Sequence, residues 1–517
     1  MQLTQALTRA VQTRHKYNAT IYNDRKRTWQ EVGERVPRLA RGLRALGLKP
    51  GDRLAILAFN SDNYIELLFA AAWAKLVAVP LNTRWAIPEN IYSLKDAECA
   101  ALVVDDAFSR QLDELLAGHP MPHVVHMGDE PAPAGAQAYE ALIAQSQPMA
   151  DECGRNDELC GIYYTGGTTG HPKGVMLSHT NVVAASVNWI ATLHFSDQTV
   201  YLHSAGLFHL AGASPAFALT MAGGTHVCLP KFEALPAFDA IQKHKVNYVL
   251  FVPTMINMML NHPEFDKYDL TSVRYCEYGA SPMPDAVLAA AIEKLPSWEF
   301  IQGYGMTETA ALTVSLPWRF HFDGEHGKAK RQAAGRASYG VDLKIVGPDG
   351  SELPRGTPGE IAVHGAQVML GYWKKPEATA AVIRNGWMHT GDGAWMDEDG
   401  FVYIVDRVKD MIISGGENIY STEVENAVHA HPSVRECAVI GVPDEKWGET
   451  VLAVVTLKDG RTATAQDIID HCHKLIANYK CPRKVEFREA LPLSGAGKIM
   501  KNVLREPYWQ GKARSVN

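Results

Sequence analysis

Apolar positions over roughly the first 400 residues follow two alternating rhythms. In TWQEVGERVPRLARGLRALG (28–47) they recur at helical spacing and the segment stops at a glycine, which predicts an amphipathic helix. Between such segments lie short unbroken apolar runs, among them DRLAILAF (52–59), AALVVDD (100–106), VNYVLFVPT (246–254) and IAVHG (361–365). Runs of that length suit strands buried on both faces, as in parallel sheets. The most apolar early stretch, LLFAAAWAKLVAVPL (67–81), is interrupted by Lys75 and stopped at Pro80. It is too short to span a bilayer and predicts a buried helix followed by a strand. Helix–strand alternation on this scale predicts an α/β fold, with mostly parallel sheets flanked by helices.

Near residue 400 the pattern changes. DEDGFVYIVDRVKDMIISGGENIYSTEVENAV (397–428) packs turns, short strands and one helix into little space. Thr422 and Glu425 have capping-box spacing at the start of that helix, which should end before Pro432. CAVIGVP (437–443) and TVLAVVTL (450–457) then predict strands, DIIDHCHKLI (467–476) predicts a helix, and LSGAGK (493–498) a glycine-containing loop. The expected organisation is a large N-terminal domain, 1–406, and a small α+β domain, 407–517.

Composition narrows the class. A chain of 517 residues exceeds one ordinary core, and 46% hydrophobic with 21% charged residues is normal for a globular protein. A net charge of −7 gives no basic footprint for nucleic acid or acidic lipid. The first residues lack the apolar core of a signal peptide, so a cytoplasmic location is expected. Eight cysteines without a CxxC pair point to reduced thiols. His471-Cys472-His473 could suggest a metal, but i and i+2 on a helix point to different faces. Oligomeric state is open, with a homodimer as one candidate.

The chemistry concentrates in YYTGGTTGHPKGVMLSH (163–179). A glycine- and threonine-rich loop offers free backbone N–H groups and hydroxyls, and with a lysine it suits a polyphosphate. A Walker loop is excluded, because Pro172 precedes Lys173, Gly174 follows it, and GVMLSH predicts a strand, with the next helix near Thr180 or Asn181. The loop lies between two strands.

YTGGTTGHPKGV (164–175) resembles the phosphate loop of the adenylate-forming superfamily, which includes acyl-CoA synthetases, luciferases and peptide-synthetase adenylation domains. GYGMTET (303–309), GEIAVHGAQVMLGYW (359–373), WMHTGD (387–392), VDRVKDMIISGGENI (405–419) and LSGAGKIMK (493–501) follow in the family's order. The resemblance covers nearly the whole chain and implies that the loop holds the phosphates of ATP.

It also implies roles. Thr165, Gly167, Thr168, Thr169, Gly170 and Lys173 match phosphate contacts, while Gly166 stands where the family usually has serine and removes one hydroxyl donor. Glu308 and Thr168 match ligands of Mg²⁺. Gly279, Ala280 and Ser281 fill the adenine-stacking turn, and Gly303, Tyr304, Gly305, Met306 and Thr307 lie against adenine and the α-phosphate. Asp392 matches the acceptor of both ribose hydroxyls, and Arg407 lies near the same sugar. Lys498 matches the adenylation lysine, carried on a mobile small domain that rotates about a hinge at Lys409. Rotation would bring Ser414, Gly415, Gly416 and Glu417 to the pantetheine arm of coenzyme A. His209 matches a histidine or aromatic at the carboxylate pocket, as a catalytic group or a pocket wall.

The function implied is an AMP-forming carboxylic acid–CoA ligase for a fatty or aromatic acid. The apolar stretches 188–195, 210–219 and 248–259 are expected to line the acyl pocket, with Trp189, Phe217 and Tyr248 as walls. An amino-acid adenylation domain is the first rival. Residues 201–224 contain no Asp or Glu to receive a substrate ammonium, and free amino acids are expected to be poor substrates. A luciferase-like oxygenase, a stand-alone adenylating enzyme for another acceptor and a non-catalytic nucleotide-binding relative complete the alternatives; the last would be expected to lose Lys498, Glu308 or Asp392.

Overall fold

The computed structural model describes residues 1–165, 172–281, 283–324, 329–407, 410–414, 417–444, 447–494 and 498–510, with backbone alone at 406–407, 413 and 417–418. It is an α/β structure built on four sheets. The first has nine strands. Its middle six, in spatial order Glu299–Tyr304, Tyr275–Gly279, Tyr248–Phe251, Val200–His203, Thr225–Cys228 and Asn18–Tyr22, are all parallel, with antiparallel strands at both edges. The second has eight strands. Val77–Pro80, Arg53–Leu57 and Cys99–Val104 form its parallel centre, Leu159–Thr165 continues it in parallel at one side, and Lys173–Ser178 there turns antiparallel.

The apolar runs became strands where their pattern placed them. Residues 67–81 give the end of the helix Asp62–Trp73 and then the strand Val77–Pro80, all but continuously buried. Trp29–Ala45 is helical, opened by a capping box in which Glu31 N donates to Thr28 Oγ1 and Thr28 N donates to Glu31. The helix after the glycine loop, His179–Leu193, begins one residue before Thr180, because Ser178 and Asn181 form a capping box of their own. It packs beside Leu210–Ala222 over one face of the first sheet, where Trp189, Leu193, Ala218 and Leu219 meet Tyr201, Tyr248, Leu250 and Ile301.

A third, antiparallel sheet contains Gly359–His364 and Trp387–Met396 and ends in Val402–Arg407. Ile412–Ser414 then belongs to the fourth sheet, with Val434–Asp444 and Gly448–Leu457 as its longest pair. Both faces of that pair are covered: Val439, Val451, Ala453 and Val455 lie in one core with Ile468, while Ile440, Val442, Leu452 and Val454 lie in another with Leu504. Alternate residues of unbroken apolar runs thus reach two separate cores.

One local expectation fails. The helix Ser421–His429 ends before Pro432, but Thr422 and Glu425 form no capping box. Thr422 Oγ1 instead donates to the Val405 carbonyl, and Glu425 accepts from Val439 N at 2.8 Å and pairs with Lys501 at 2.8 Å. Tertiary partners outbid the local cap. At the other helix, Cys472 is core, the His471 ring meets His431 edge-on, and His473 bonds Asn478, so the three side chains diverge. No described helix is long and apolar enough to cross a membrane.

Candidate active site

The glycine loop is anchored at both ends by one ladder. Leu159–Thr165 and Lys173–Ser178 run antiparallel with Thr165 opposite Lys173, and Thr165 Oγ1 donates to the Lys173 carbonyl at 3.4 Å. Gly166, Gly167, Thr168, Thr169 and Gly170 lie outside the described residues. A short strand from nearly 200 residues on, Gly371–Tyr372, pairs with Val175 and Met176 and lays the Tyr372 ring under Lys173, whose Nζ stands 5.0 Å from the ring centroid. The Tyr372 hydroxyl donates to Glu308 Oε1 at 2.8 Å. Burial, with the neighbouring Glu308 charge adding to it, pushes the Tyr372 phenol well above its ordinary range, so it stays a donor.

Glu308 sits in a single 3-10 turn, Thr307–Thr309, and its own carbonyl accepts from Met369 N at 2.9 Å. The segment before it requires glycine: a Cβ at Gly305 would lie 1.3 Å from the Ala311 carbonyl oxygen. Thr307 and Glu308 are buried, and Met306 is partly so. Tyr304, at the end of its strand, donates to Asp392 Oδ2 at 2.7 Å. Asp392 is cross-strand partner to Arg407, of which only the backbone is described, and Lys409 lies outside the described residues. Gly279 pairs with Gly303 in parallel register, and Ala280, with φ of 63°, turns the chain out of the strand into Ser281. These residues therefore gather at the carboxyl ends of parallel strands, where open α/β sheets bind ligands.

His209 is the N-cap of Leu210–Ala222, its Nδ1 accepting from Ala211 N at 3.3 Å. Burial, with the positive charge of Lys498 adding to it, lowers it to about 4, so the ring is neutral and lies within the field of that lysine. Lys498 belongs to a loop in which Ser494 N donates to the Lys498 carbonyl at 2.7 Å, and Arg84 donates to the Ser494 carbonyl at 3.4 Å. Ser414 pairs with Glu417 and Gly448 inside the fourth sheet, and Gly415 and Gly416 lie outside the described residues.

Three features escaped the sequence reading. Tyr372 was visible only as part of a motif, since its partners are 64 and almost 200 residues away. Phe217 does not share a layer with Trp189 and Tyr248, because it faces the other way on its helix and meets Phe69 with ring centroids 6.0 Å apart. The layer beneath Trp189 is not free of acid either. Glu277 enters it from the strand Tyr275–Gly279, and its lone polar letter within the buried run YCEYG was the available signal.

Residues 7–373 match the family described as AMP-binding enzyme, and 423–498 match the AMP-binding enzyme C-terminal domain. A feruloyl-CoA synthase of Amycolatopsis sp is 39% identical over 482 residues, covering 93% of this chain and 94% of that protein. A long-chain-fatty-acid–CoA ligase of Mycobacterium tuberculosis is 37% identical over 485 residues, covering 94% of each. Among solved structures, an anthranilate CoA ligase in complex with anthranoyl-AMP superposes with a TM-score of 0.90 at 26% identity, over 98% of this chain and 97% of that one. A match across both parts of the chain, at this identity and coverage, carries one conclusion: the protein belongs to the AMP-binding, adenylate-forming enzyme family.

Proposed function

We infer that this protein is an AMP-forming carboxylic acid–CoA ligase, which joins a fatty or aromatic acid to AMP with release of pyrophosphate and then passes the acyl group to the coenzyme A thiol. The observation that carries this reading is the run Lys173–Tyr372–Glu308 together with the Tyr304–Asp392 pair, with Lys498 near enough to His209 for its charge to act on that ring. Two anions must meet there, and fixed positive charge lowers the barrier to their meeting.

Lys173 with Thr165 and the glycine loop would receive the β- and γ-phosphates, Asp392 the ribose hydroxyls, and Lys498 the charge gathering at the α-phosphate. Among the described residues no three His, Cys, Asp or Glu side chains form an all-protein metal cage. One buried carboxylate nonetheless fits Mg²⁺, which keeps several waters and takes one or two carboxylates plus phosphate oxygens. Glu308 and Thr168 would hold it, and when bound it would neutralise phosphate charge. Lys498 belongs to the region after 407, and a hinge at Lys409 would let the domain 407–517 withdraw it and present Ser414–Glu417 to coenzyme A. The passage of the chain from the third sheet to the fourth between 407 and 412 supports a boundary there.

Pyrophosphate release that depends on an added acid, followed by AMP release on adding coenzyme A, tests the reading. A panel of fatty and aromatic acids none of which elicits pyrophosphate would overturn it.

A further inference from the structure

The strand Tyr275–Gly279 lies in the parallel centre of the first sheet, and in register Glu277 sits between Leu250 and Ile301. Its face is the one covered by His179–Leu193 and Leu210–Ala222, where Leu250 and Ile301 pack with Trp189 and Leu219. Glu277 is 5% exposed, and its Oε2 has no hydrogen-bond partner among the described residues. Two further buried polar atoms of this layer, the Tyr248 hydroxyl and Trp189 Nε1, are likewise unpartnered. An apolar side chain would serve the fold better at each of these positions, since a buried polar group without a partner costs free energy and gives nothing back to stability.

Gly303 locates the acid relative to the chemistry. A Cβ there would stand 2.3 Å from Glu277 Oε1, so this glycine of the nucleotide motif leaves the space that the carboxyl group fills. On the ligase reading Gly303 would lie against the adenylate, which would put this layer beside the acyl group joined to the α-phosphate. Burial pushes the Glu277 carboxyl well above the usual carboxylate range. A neutral carboxylic acid both donates and accepts one hydrogen bond, which matches a phenol. An ammonium group would instead require the ionised carboxylate in apolar surroundings.

We propose that Glu277 is a specificity-determining residue of the acyl site, selecting aromatic carboxylic acids that carry a phenolic hydroxyl, with Tyr248 and Trp189 supplying further polar contacts. This deepens the acid–CoA ligase reading and rests on it.

The test uses matched pairs, 4-hydroxycinnamate against cinnamate and 3- and 4-hydroxybenzoate against benzoate, scored as kcat/KM for pyrophosphate release. The wild-type protein should favour the hydroxylated member of at least one pair by about tenfold or more, because a site built to bond a hydroxyl leaves its own groups unpaired with the analogue that lacks one. Glu277→Met should bring that ratio to within about threefold of unity, and Glu277→Gln, which keeps a donor and an acceptor, should give an intermediate ratio. Wild-type ratios near one in every pair, or a ratio that survives Glu277→Met, would overturn the proposal. Should Glu277→Met not fold, Glu277→Gln and Tyr248→Phe decide it, and an unchanged ratio in both is equally fatal. Acids that react without preference defeat this inference alone; a panel on which no acid reacts defeats the ligase reading and this with it.

Discussion

Tyr372→Phe isolates one hydrogen bond at the centre of the site. The ring stays, and with it the packing beneath Lys173 at 5.0 Å, while the donor to Glu308 at 2.8 Å is lost. A buried hydrogen bond to a charged group is worth about 1.5–3 kcal/mol, or roughly ten- to a hundredfold in rate if it is felt wholly in the transition state. Glu308 is also held through its backbone by Met369, so the carboxylate is loosened without being displaced, and the lower half of that range is expected. The loss should fall on adenylation and should deepen at limiting Mg²⁺. Thioester formation from supplied acyl-AMP, which uses neither the triphosphate nor its metal, should change by less than about twofold. Because burial and Glu308 keep the phenol protonated, the factor should be the same at pH 7 and pH 9. The assay is pyrophosphate release against Mg²⁺ concentration at both pH values, with acyl-AMP consumption as the control. Adenylation within about threefold of wild type at limiting Mg²⁺, or equal losses in both half-reactions, would refute the role given to this bond.

Lys498→Ala should lose about two to four orders of magnitude in adenylation yet still turn preformed acyl-AMP and coenzyme A into thioester; Lys409→Pro should do the reverse, and equal slowing of both half-reactions in each variant would remove the moving-domain account. Gly305→Ala should lower the melting temperature by several degrees and abolish adenylation, because its Cβ falls 1.3 Å from a backbone oxygen that cannot yield cheaply; a wild-type thermal transition would contradict the close approach. Burial holds His179 and His321 at about 4 and His203 at about 3, against 6.5 for an ordinary histidine. Their folded-state values are depressed, so this contribution is complete above about pH 6.5 and is lost as pH falls toward 3–4; the urea midpoint should already drop between pH 6.5 and 5, above the carboxylate range, and a flat midpoint there would refute it.

How far the chain could be read follows from how local each feature is. Val77–Pro80, Arg53–Leu57 and Cys99–Val104 were plain because the centre of a parallel sheet demands unbroken apolar runs, whatever its neighbours are. The loop ends Thr165 and Lys173 were plain because one ladder sets both. Thr422 and Glu425 misled because spacing records what a helix start can do locally, while Val405, Val439 and Lys501 reach them from other elements. Phe217 misled because both faces of Leu210–Ala222 are apolar, so no periodicity tells the side toward Trp189 from the side toward Phe69. Glu277 went unseen because only the register of Tyr248–Phe251, Tyr275–Gly279 and Glu299–Tyr304 places it beside Tyr248 and Gly303.

The same limit hid a regularity in the site. Each of its two central carboxylates accepts a hydrogen bond from a tyrosine of a distant segment: Glu308 from Tyr372 at 2.8 Å and Asp392 from Tyr304 at 2.7 Å. A lysine or arginine in either place would orient the acid too, but it would also offset the charge that, on the proposed reading, would draw a metal ion or a pair of ribose hydroxyls. A phenol adds direction and no charge. It occupies one of the roughly four acceptor sites of a carboxylate. On the proposed reading Lys173 and Lys498 would meet the phosphates, and the His209 ring, neutral through burial and the charge of Lys498, adds no positive charge of its own. A phenol donor thus orients each acid without adding charge, which suits a site proposed to gather ATP and a carboxylate.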